Sequence, residues 1–155
     1  MKKQLYVAYG INLSTLRMRS LSPTAKPIAK SWLHDYQLTF RGLPYGAQAT
    51  IVPAPGYSVP VAVWEITEDD ENRMDFWERI DGGNYEKQHI VVEVDGEMKE
   101  ALVYIMTPKD TEVYGIPSNS HMELIFDGYK DFNFDTEILI EAIVRAHQES
   151  ILKEA

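Results

Sequence analysis

The sequence contains no cysteine, and this absence excludes several kinds of site at once. Without thiols the chain can form no disulfide, no thiol nucleophile and no cysteine-based zinc site, so we expect a protein of a reducing compartment, the cytoplasm. Positive charge is also scarce, since 15 Lys and Arg residues stand against 24 Asp and Glu residues, for a formal net charge of −9. Nucleic acid is therefore a poor partner, because its phosphates repel an acidic surface.

Long apolar runs and nucleotide motifs are missing as well. No stretch approaches the roughly 20 apolar residues that cross a bilayer, and the first residues lack the cleavage site of a signal peptide, so we predict neither. The glycine-rich phosphate loops and the G-x-S-x-G elbow of serine hydrolases do not occur. The histidines lie far apart without a carboxylate at ligand spacing, which predicts satisfied or exposed side chains and no metal site. They are His34, His89, His121 and His147.

What the chain does have is enough apolar material for one core. With 155 residues, 45% of them apolar, we predict a single domain over residues 1–155. Short runs rich in strand-forming residues predict several strands, including AQATIVPAPGY, closed by two prolines, and VPVAVWEI as a separate strand. Asp95 and Gly96 separate the runs YEKQHIVVEV and KEALVYIM, which predicts an antiparallel hairpin.

Three segments have the spacing of helices. Thr67 can cap a helix from Glu68 to Ile80, and SNSHMELIFDGYKDF and DTEILIEAIVRAHQESILKE predict two more near the end of the chain. The last helix places Ile151 on the same apolar face as Leu139. We therefore predict an α+β fold, a small closed or partly open mixed β-barrel with one inserted helix and C-terminal helices.

The stretch LYVAYGINLSTLRMR predicts a strand that ends at Tyr9 and a helix that begins near Leu13. Gly10 permits a tight turn between them, and Asn12 can cap the helix. Backbone N–H groups at such a helix start bind anions, and a small carboxylate would suit them. The alternative is an ordinary strand-to-helix turn without a ligand.

Acidic residues recur on the first predicted helix. Glu71, Asp75 and Glu78 share one face at the spacing i, i+4, i+7, as a solvated acidic stripe would. Glu78, however, also lies beside Trp77, at the border with the apolar face, where partial burial would raise the pKa of its carboxyl toward neutrality. A carboxylate with such a pKa is suited to general base catalysis.

Two motifs together resemble the γ-glutamylcyclotransferase superfamily: YGINL directly after the first strand, and MDFWERIDGGNY before the hairpin. The usual loop of the superfamily is Y-G-S-N-L, and its catalytic glutamate stands in D-x-x-E-G, followed by a tyrosine. Ile11 replaces the usual serine, and Arg79 replaces the usual glycine. The matching positions are Tyr9, Gly10, Ile11, Asn12, Leu13, Asp75, Glu78, Tyr85 and, in the Y-x-M segment, Tyr104.

The resemblance implies an enzyme that releases a γ-glutamyl group as 5-oxoproline. The substrate's own α-amine attacks its γ-carbonyl, and Glu78 serves as general base and acid. The loop from Tyr9 to Leu13 would bind the substrate, with the α-carboxylate at the N–H groups of the turn, and Tyr85 or Tyr104 would orient the amide or the oxyanion. No metal or organic cofactor is implied, and the partner is a small γ-glutamyl molecule.

Two alternatives stay open from the same residues. One is a barrel of this superfamily that binds a small molecule without turning it over, because the serine and the glycine are replaced. The other is a cyclotransferase for γ-glutamylamines. The sequence leaves the oligomeric state open, with a homodimer among the alternatives.

Overall fold

The computed structural model describes residues 2–78 and 82–154. Five strands and five α-helices follow in the order β1 Lys3–Ala8, α1 Thr15–Leu21, β2 Lys26–Arg41, β3 Gln48–Thr67, α2 Glu68–Trp77, β4 Tyr85–Val94, β5 Glu97–Met106, α3 Pro108–Thr111, α4 Asn119–Asp131 and α5 Thr136–Glu154. A short 3-10 helix, Ile11–Leu13, stands between β1 and α1. No helix in these described ranges is both long and apolar enough to span a membrane.

The five strands form one mixed sheet in the order β2-β3-β1-β5-β4. The central strand β1 runs antiparallel to β3 and parallel to β5, where Tyr6 pairs with Leu102. This confirms the α+β fold with one inserted helix and C-terminal helices, in its partly open form. The closed barrel was wrong, because β2 and β4 stand at the two ends of the strand order. They approach each other across a cleft lined by side chains such as Trp32, Val91 and Met98.

Strand β3 is one strand of 20 residues, where the sequence predicted two. Its ladder with β2 shifts between the pairs His34↔Ser58 and Tyr36↔Pro53, so several residues of β3 bulge out opposite Asp35. Pro53 and Pro55 stand at this point of β3 and have no N–H to donate to the ladder. The N–H group of Gly56 donates to Oδ1 of Asp35 at 3.0 Å, and the ladder then resumes.

The hairpin of β4 and β5 is confirmed. Val94 pairs with Glu97, and the two residues between them, Asp95 and Gly96, have φ values of 52° and 82°. Two positive φ values in a two-residue turn match the right-handed twist of the paired strands, which is why Asp-Gly is favoured there. The hairpin places Tyr85 and Tyr104 in the same sheet as the end of β1.

Helix α2 has the predicted cap at its start and ends earlier than predicted. Thr67 Oγ1 accepts from the N–H of Asp70 at 3.2 Å, and the Asp70 carboxylate accepts from the N–H of Thr67 at 2.9 Å. The helix ends at Trp77, with Glu78 as its C-cap. The predicted end at Ile80, together with Arg79, lies outside the described residues.

The two long C-terminal helices are confirmed, but one predicted core position was wrong. In α5, Leu139, Ala142 and Ala146 are buried, whereas Ile151 is 67% exposed. Ile151 follows Ala146 by five residues, which places its side chain roughly 140° around the helix axis from the buried face.

Helix α4 packs directly on the turn that follows β1. A Cβ atom added to Gly128 would stand 2.3 Å from the Cβ of Leu13 and 2.8 Å from its carbonyl carbon. Leu13 itself is fully buried. The position of the turn therefore depends on a glycine that lies 115 residues away in the sequence.

We predict that Gly128→Ala destabilises the fold by about 1–3 kcal/mol, because an extra methyl group must displace the backbone of the turn. Thermal unfolding of the variant measures this loss, and weaker ligand binding should accompany it. Glu123→Ala, on the exposed side of the same helix, is the control and should unfold near the wild-type temperature. Equal melting temperatures for Gly128→Ala and the wild type would contradict the packing described here.

Candidate active site

The turn after β1 has free backbone donors, as predicted, but a different helix cap. The N–H groups of Ile11 and Asn12 find no hydrogen-bond acceptor among residues 2–78 and 82–154. Asn12 does not cap α1, because it lies inside the 3-10 helix. Ser14 caps α1 instead, since its Oγ accepts from the N–H of Arg17 at 3.2 Å. The side chain of Asn12 is thereby left for other contacts.

Glu78 lies apart from the acidic face of α2. Because the helix ends at Trp77, Glu78 adopts φ −85° and ψ 2°. Glu71 and Asp75 both bind Lys87 Nζ at 2.9 Å, so they form an ion-paired cluster on the helix surface. The Glu78 side chain is partly buried and lines a cavity together with the turn after β1.

Asn12 connects Glu78 to a cation and to a tyrosine. Its Nδ2 donates to Tyr6 Oη at 3.0 Å and, at a long 3.4 Å, to Glu78 Oε1. Its Oδ1 accepts from Arg17 Nε at 3.1 Å. The amide is therefore held in one orientation, with its NH₂ group toward the carboxylate and the phenol.

The protonation of Glu78 is set by burial against two opposing contacts. Burial raises the pKa of the Glu78 carboxyl to about 7, while the charge of Arg17 and the hydrogen bond from Asn12 lower it and leave a net rise. Desolvation disfavours the charged carboxylate, which accounts for the direction of the shift. Near neutral pH the group is present in both protonation states, as a group that must accept and return a proton requires.

The predicted tyrosines all lie at this cavity, with their hydroxyl protons already in use. Tyr9 donates to the carbonyl of Tyr104 at 2.7 Å, and Tyr85 donates to the carbonyl of Ala49 at 2.6 Å. Tyr104 donates to Asp75 Oδ1 at 2.6 Å. Burial raises the pKa of each of the three phenols, so they stay neutral. Each phenol oxygen can accept a hydrogen bond from a ligand, and that of Tyr9 also contacts the side chain of Thr50.

The inner cavity is small, with a volume of about 40 Å³. All the residues predicted for the site line it except Leu13, which is buried in the core behind the turn. The lining residues are Tyr6, Tyr9, Gly10, Ile11, Asn12, Gln48, Ala49, Glu78, Tyr85, Tyr104 and His121. The tertiary structure thus brings the two sequence motifs to one place.

The sequence pattern did not predict four residues that line the inner cavity, Tyr6, Gln48, Ala49 and His121, or Arg17, which contacts Asn12. Five residues separate Arg17 from Asn12, which is about 140° around a helix, so this spacing gave no signal. Tyr6 lies in an ordinary strand pattern, and His121 lies 72 residues from its partner Ala49, so neither had a local signal. Among the described residues, no group of three or more His, Asp or Glu side chains could hold a metal ion.

An outer cavity of about 340 Å³ adjoins the inner one. The two share the side chains of Ile11, Gln48, Glu78 and Tyr85. The outer cavity adds charged groups and apolar surface. The charged side chains are Arg17, Arg41 and Asp110, and the apolar ones are Leu43, Trp77 and Met106. A ligand held in the inner cavity can therefore extend past Glu78 into a larger space.

The fold is an α+β domain with a partly open mixed sheet and a cavity at the end of its central strand. Comparison with known proteins makes the class more specific. A sequence profile of the family described as "Gamma-glutamyl cyclotransferase, AIG2-like" matches residues 6–123. The chain belongs to this family.

The relatives agree in name. The human protein "Gamma-glutamylcyclotransferase" is 30% identical over 139 residues, which cover 82% of this chain and 70% of the relative. The mouse protein of the same name is 29% identical over 139 residues, with the same coverage of both chains. A solved structure named "Gamma-glutamyl cyclotransferase" superposes with a TM-score of 0.80 at 27% identity, covering 91% of this chain and 86% of the other.

Proposed function

We propose that this protein is a γ-glutamyl cyclotransferase that converts a γ-glutamyl conjugate into 5-oxoproline and a free amine or amino acid. One observation supports this most directly: Glu78, with a pKa of about 7, lines the same cavity as the free N–H groups of Ile11 and Asn12. A γ-glutamyl group has a carboxylate for those donors and an ammonium group for that base.

The proposed reaction begins with orientation. The α-carboxylate binds the N–H groups of Ile11 and Asn12, which places the α-ammonium group toward Glu78. The phenol oxygens of Tyr9 and Tyr85 can accept hydrogen bonds from this ammonium group, since their own protons are donated elsewhere. When the γ-glutamyl group of the substrate is held in a folded conformation, its α-amine lies close to its γ-carbonyl carbon, which favours the intramolecular attack.

Glu78 then carries two protons, one after the other, from the α-nitrogen to the leaving nitrogen. It takes the first from the α-ammonium group, the free amine forms a C–N bond to the γ-carbonyl carbon, and Glu78 gives this proton to the leaving nitrogen as the original C–N bond breaks. The attacking nitrogen still has one proton more than the lactam retains, so Glu78 takes this second proton and passes it to the released amine, which departs as an ammonium group and leaves Glu78 ionised again. The oxyanion needs a donor, and the Tyr6 hydroxyl is available, because it accepts from Asn12 and no described residue accepts its proton.

The leaving group would occupy the outer cavity. Arg17 can meet a carboxylate on the leaving group, since the second arginine there, Arg41, is paired with Glu149, and the apolar walls can take a side chain. We therefore expect γ-glutamyl amino acids to react faster than γ-glutamylamines of the same size. γ-Glutamylalanine and γ-glutamylethylamine form a matched pair that differs in this carboxylate.

The test is release of 5-oxoproline by the purified protein from a panel of γ-glutamyl amino acids and amines. We expect product from at least the amino-acid conjugates. Ligands that raise the melting temperature without forming product would instead favour the non-catalytic binding protein. Preferred turnover of γ-glutamylethylamine would favour the γ-glutamylamine cyclotransferase.

A further inference from the structure

His121 lines the inner cavity and has no role in the proposed mechanism. It stands in the first turn of α4, where its backbone N–H donates to the cap Ser118 Oγ at 3.2 Å. The ring packs edge-to-face on Phe40, with centroids 6.2 Å apart, and lines the inner cavity. Its backbone and one edge of its ring are therefore fixed by the fold.

The contact of the ring with Ala49 sets the tautomer. The backbone N–H of Ala49 donates to Nε2 of His121 at 3.1 Å. A backbone N–H can only donate, so Nε2 must be unprotonated, and the neutral ring has its proton on Nδ1. Burial, together with the charge of Arg17, lowers the pKa of His121 to about 4. The imidazole is thus a neutral donor throughout the physiological range.

The Nδ1–H group has no acceptor among the described residues. Two other side chains of the cavity already donate to protein acceptors. Asn12 donates to Tyr6 and Glu78, and Tyr85 donates to the carbonyl of Ala49. A partly buried donor without an acceptor is unfavourable unless a ligand or water satisfies it.

His121 is linked to the turn after β1 through Ala49. Its partner Ala49 is packed so closely on Gly10 that a Cβ atom on the glycine would stand 3.2 Å from the Cβ of Ala49. The imidazole, Ile11 and Asn12 line the same small cavity. A ligand in that cavity can therefore meet the imidazole and the free N–H groups of Ile11 and Asn12.

We propose that His121 is a substrate-binding residue whose Nδ1–H group donates to the α-carboxylate of the γ-glutamyl group, beside the N–H groups of Ile11 and Asn12. This inference rests on the proposed function, because it takes the γ-glutamyl carboxylate as the ligand. A carboxylate has acceptor sites for all three donors. The side chain of Ile11 offers no donor, and the imidazole supplies one from another element of the fold.

Two substitutions of His121 distinguish its proposed role in substrate binding from its structural contact with Ala49. In His121→Gln, Oε1 can replace Nε2 as the acceptor for Ala49, but the donor at the Nδ1 position is lost. In His121→Asn, Nδ2 can replace Nδ1 as a donor, but the contact with Ala49 is lost. We expect His121→Gln to raise KM about 10-fold or more with kcat nearly unchanged, as loss of a hydrogen bond to a charged group does.

His121→Asn should show the reverse pattern. Its KM should stay within about threefold of wild type, while its melting temperature falls, because the buried N–H of Ala49 loses its acceptor. His147→Gln, on the exposed surface of α5, is the control for both. Equal rises in KM in both His121 variants would overturn the proposal in favour of a structural role. A loss confined to kcat in His121→Gln would assign the donor to the oxyanion and overturn it as well.

Measurements without turnover separate this inference from the proposed function. The ¹⁵N signals of the imidazole should report the Nδ1–H tautomer down to pH 5, and a doubly protonated ring at pH 6 would overturn the proposal. The Kd for 5-oxoproline should rise in His121→Gln and not in His121→Asn, while the Kd for 2-pyrrolidinone, which lacks the carboxylate, changes in neither. This pattern in a protein that forms no product would support the inference and contradict the proposed function. Binding of 5-oxoproline that no His121 variant weakens would contradict the inference alone.

Discussion

Glu78→Gln should lower kcat by about 10²–10⁴-fold, the range that a positioned general base contributes. Glutamine keeps the shape of the side chain and can still accept a hydrogen bond from Asn12, but it cannot accept a proton at neutral pH. In the proposed mechanism one carboxyl group performs both proton transfers, so the loss should fall at the upper end. KM should change little, because the contacts that bind the substrate remain.

The same variant has a distinct signature in stability. The folded-state pKa of about 7 lies above the ordinary 4.5, so the carboxyl group favours folding below pH 4.5 and opposes it increasingly as the pH rises through 7. Glu78→Gln should therefore be more stable than wild type at pH 8, by about 1–3 kcal/mol, and the difference should shrink toward pH 4.5. Thermal unfolding at the two pH values measures it.

Glu68→Gln is the matched control, since Glu68 is exposed on the same helix. It should leave kcat unchanged. Full activity in Glu78→Gln would contradict the proposed mechanism. A Glu78→Gln protein that is inactive and also less stable at pH 8 would show misfolding and not the loss of a base.

The second large effect concerns pH. Glu78 accepts a proton only when ionised, so kcat/KM should rise with pH through about 7. At pH 5 the value should be roughly 100-fold below its plateau, since each pH unit below the pKa removes about nine-tenths of the ionised form. His121 titrates near 4, too low to account for a limb near neutrality. A flat profile from pH 5 to 8 would contradict the assignment of Glu78.

Arg17→Gln tests the cause of this pH dependence. The charge of Arg17 lowers the pKa of Glu78, so its removal should raise that pKa and move the acidic limb to higher pH. The variant should lose more kcat/KM at pH 6 than at pH 9. Arg19→Gln, exposed on the same helix, should keep the wild-type profile. If Arg17→Gln lowers kcat/KM equally at both pH values, Arg17 acts in substrate binding and not through the pKa of Glu78.

Local patterns predicted the features that depend on neighbouring residues. The turn at Asp95 and Gly96 follows from the φ values that a two-residue hairpin needs, and the start of α2 follows from the pairing of Thr67 with Asp70. The early end of α2 could not be predicted in this way. Whether Glu78 continues the acidic stripe of Glu71 or turns into the cavity depends on where the helix stops, and periodicity assumes that it continues.

The sequence by itself determined the family, through YGINL and the residues around Glu78, because these motifs are local and each has its own spacing. It also determined most of the helices and strands. The tertiary structure decided that the sheet stays open between β2 and β4, and it placed Arg17, Tyr6 and His121 at the cavity. It also decided the pKa of Glu78, which depends on how far water is excluded and which charges lie nearby. Burial of this kind arises from packing between residues distant in sequence, such as Gly128 on the turn after β1, and no local pattern records it.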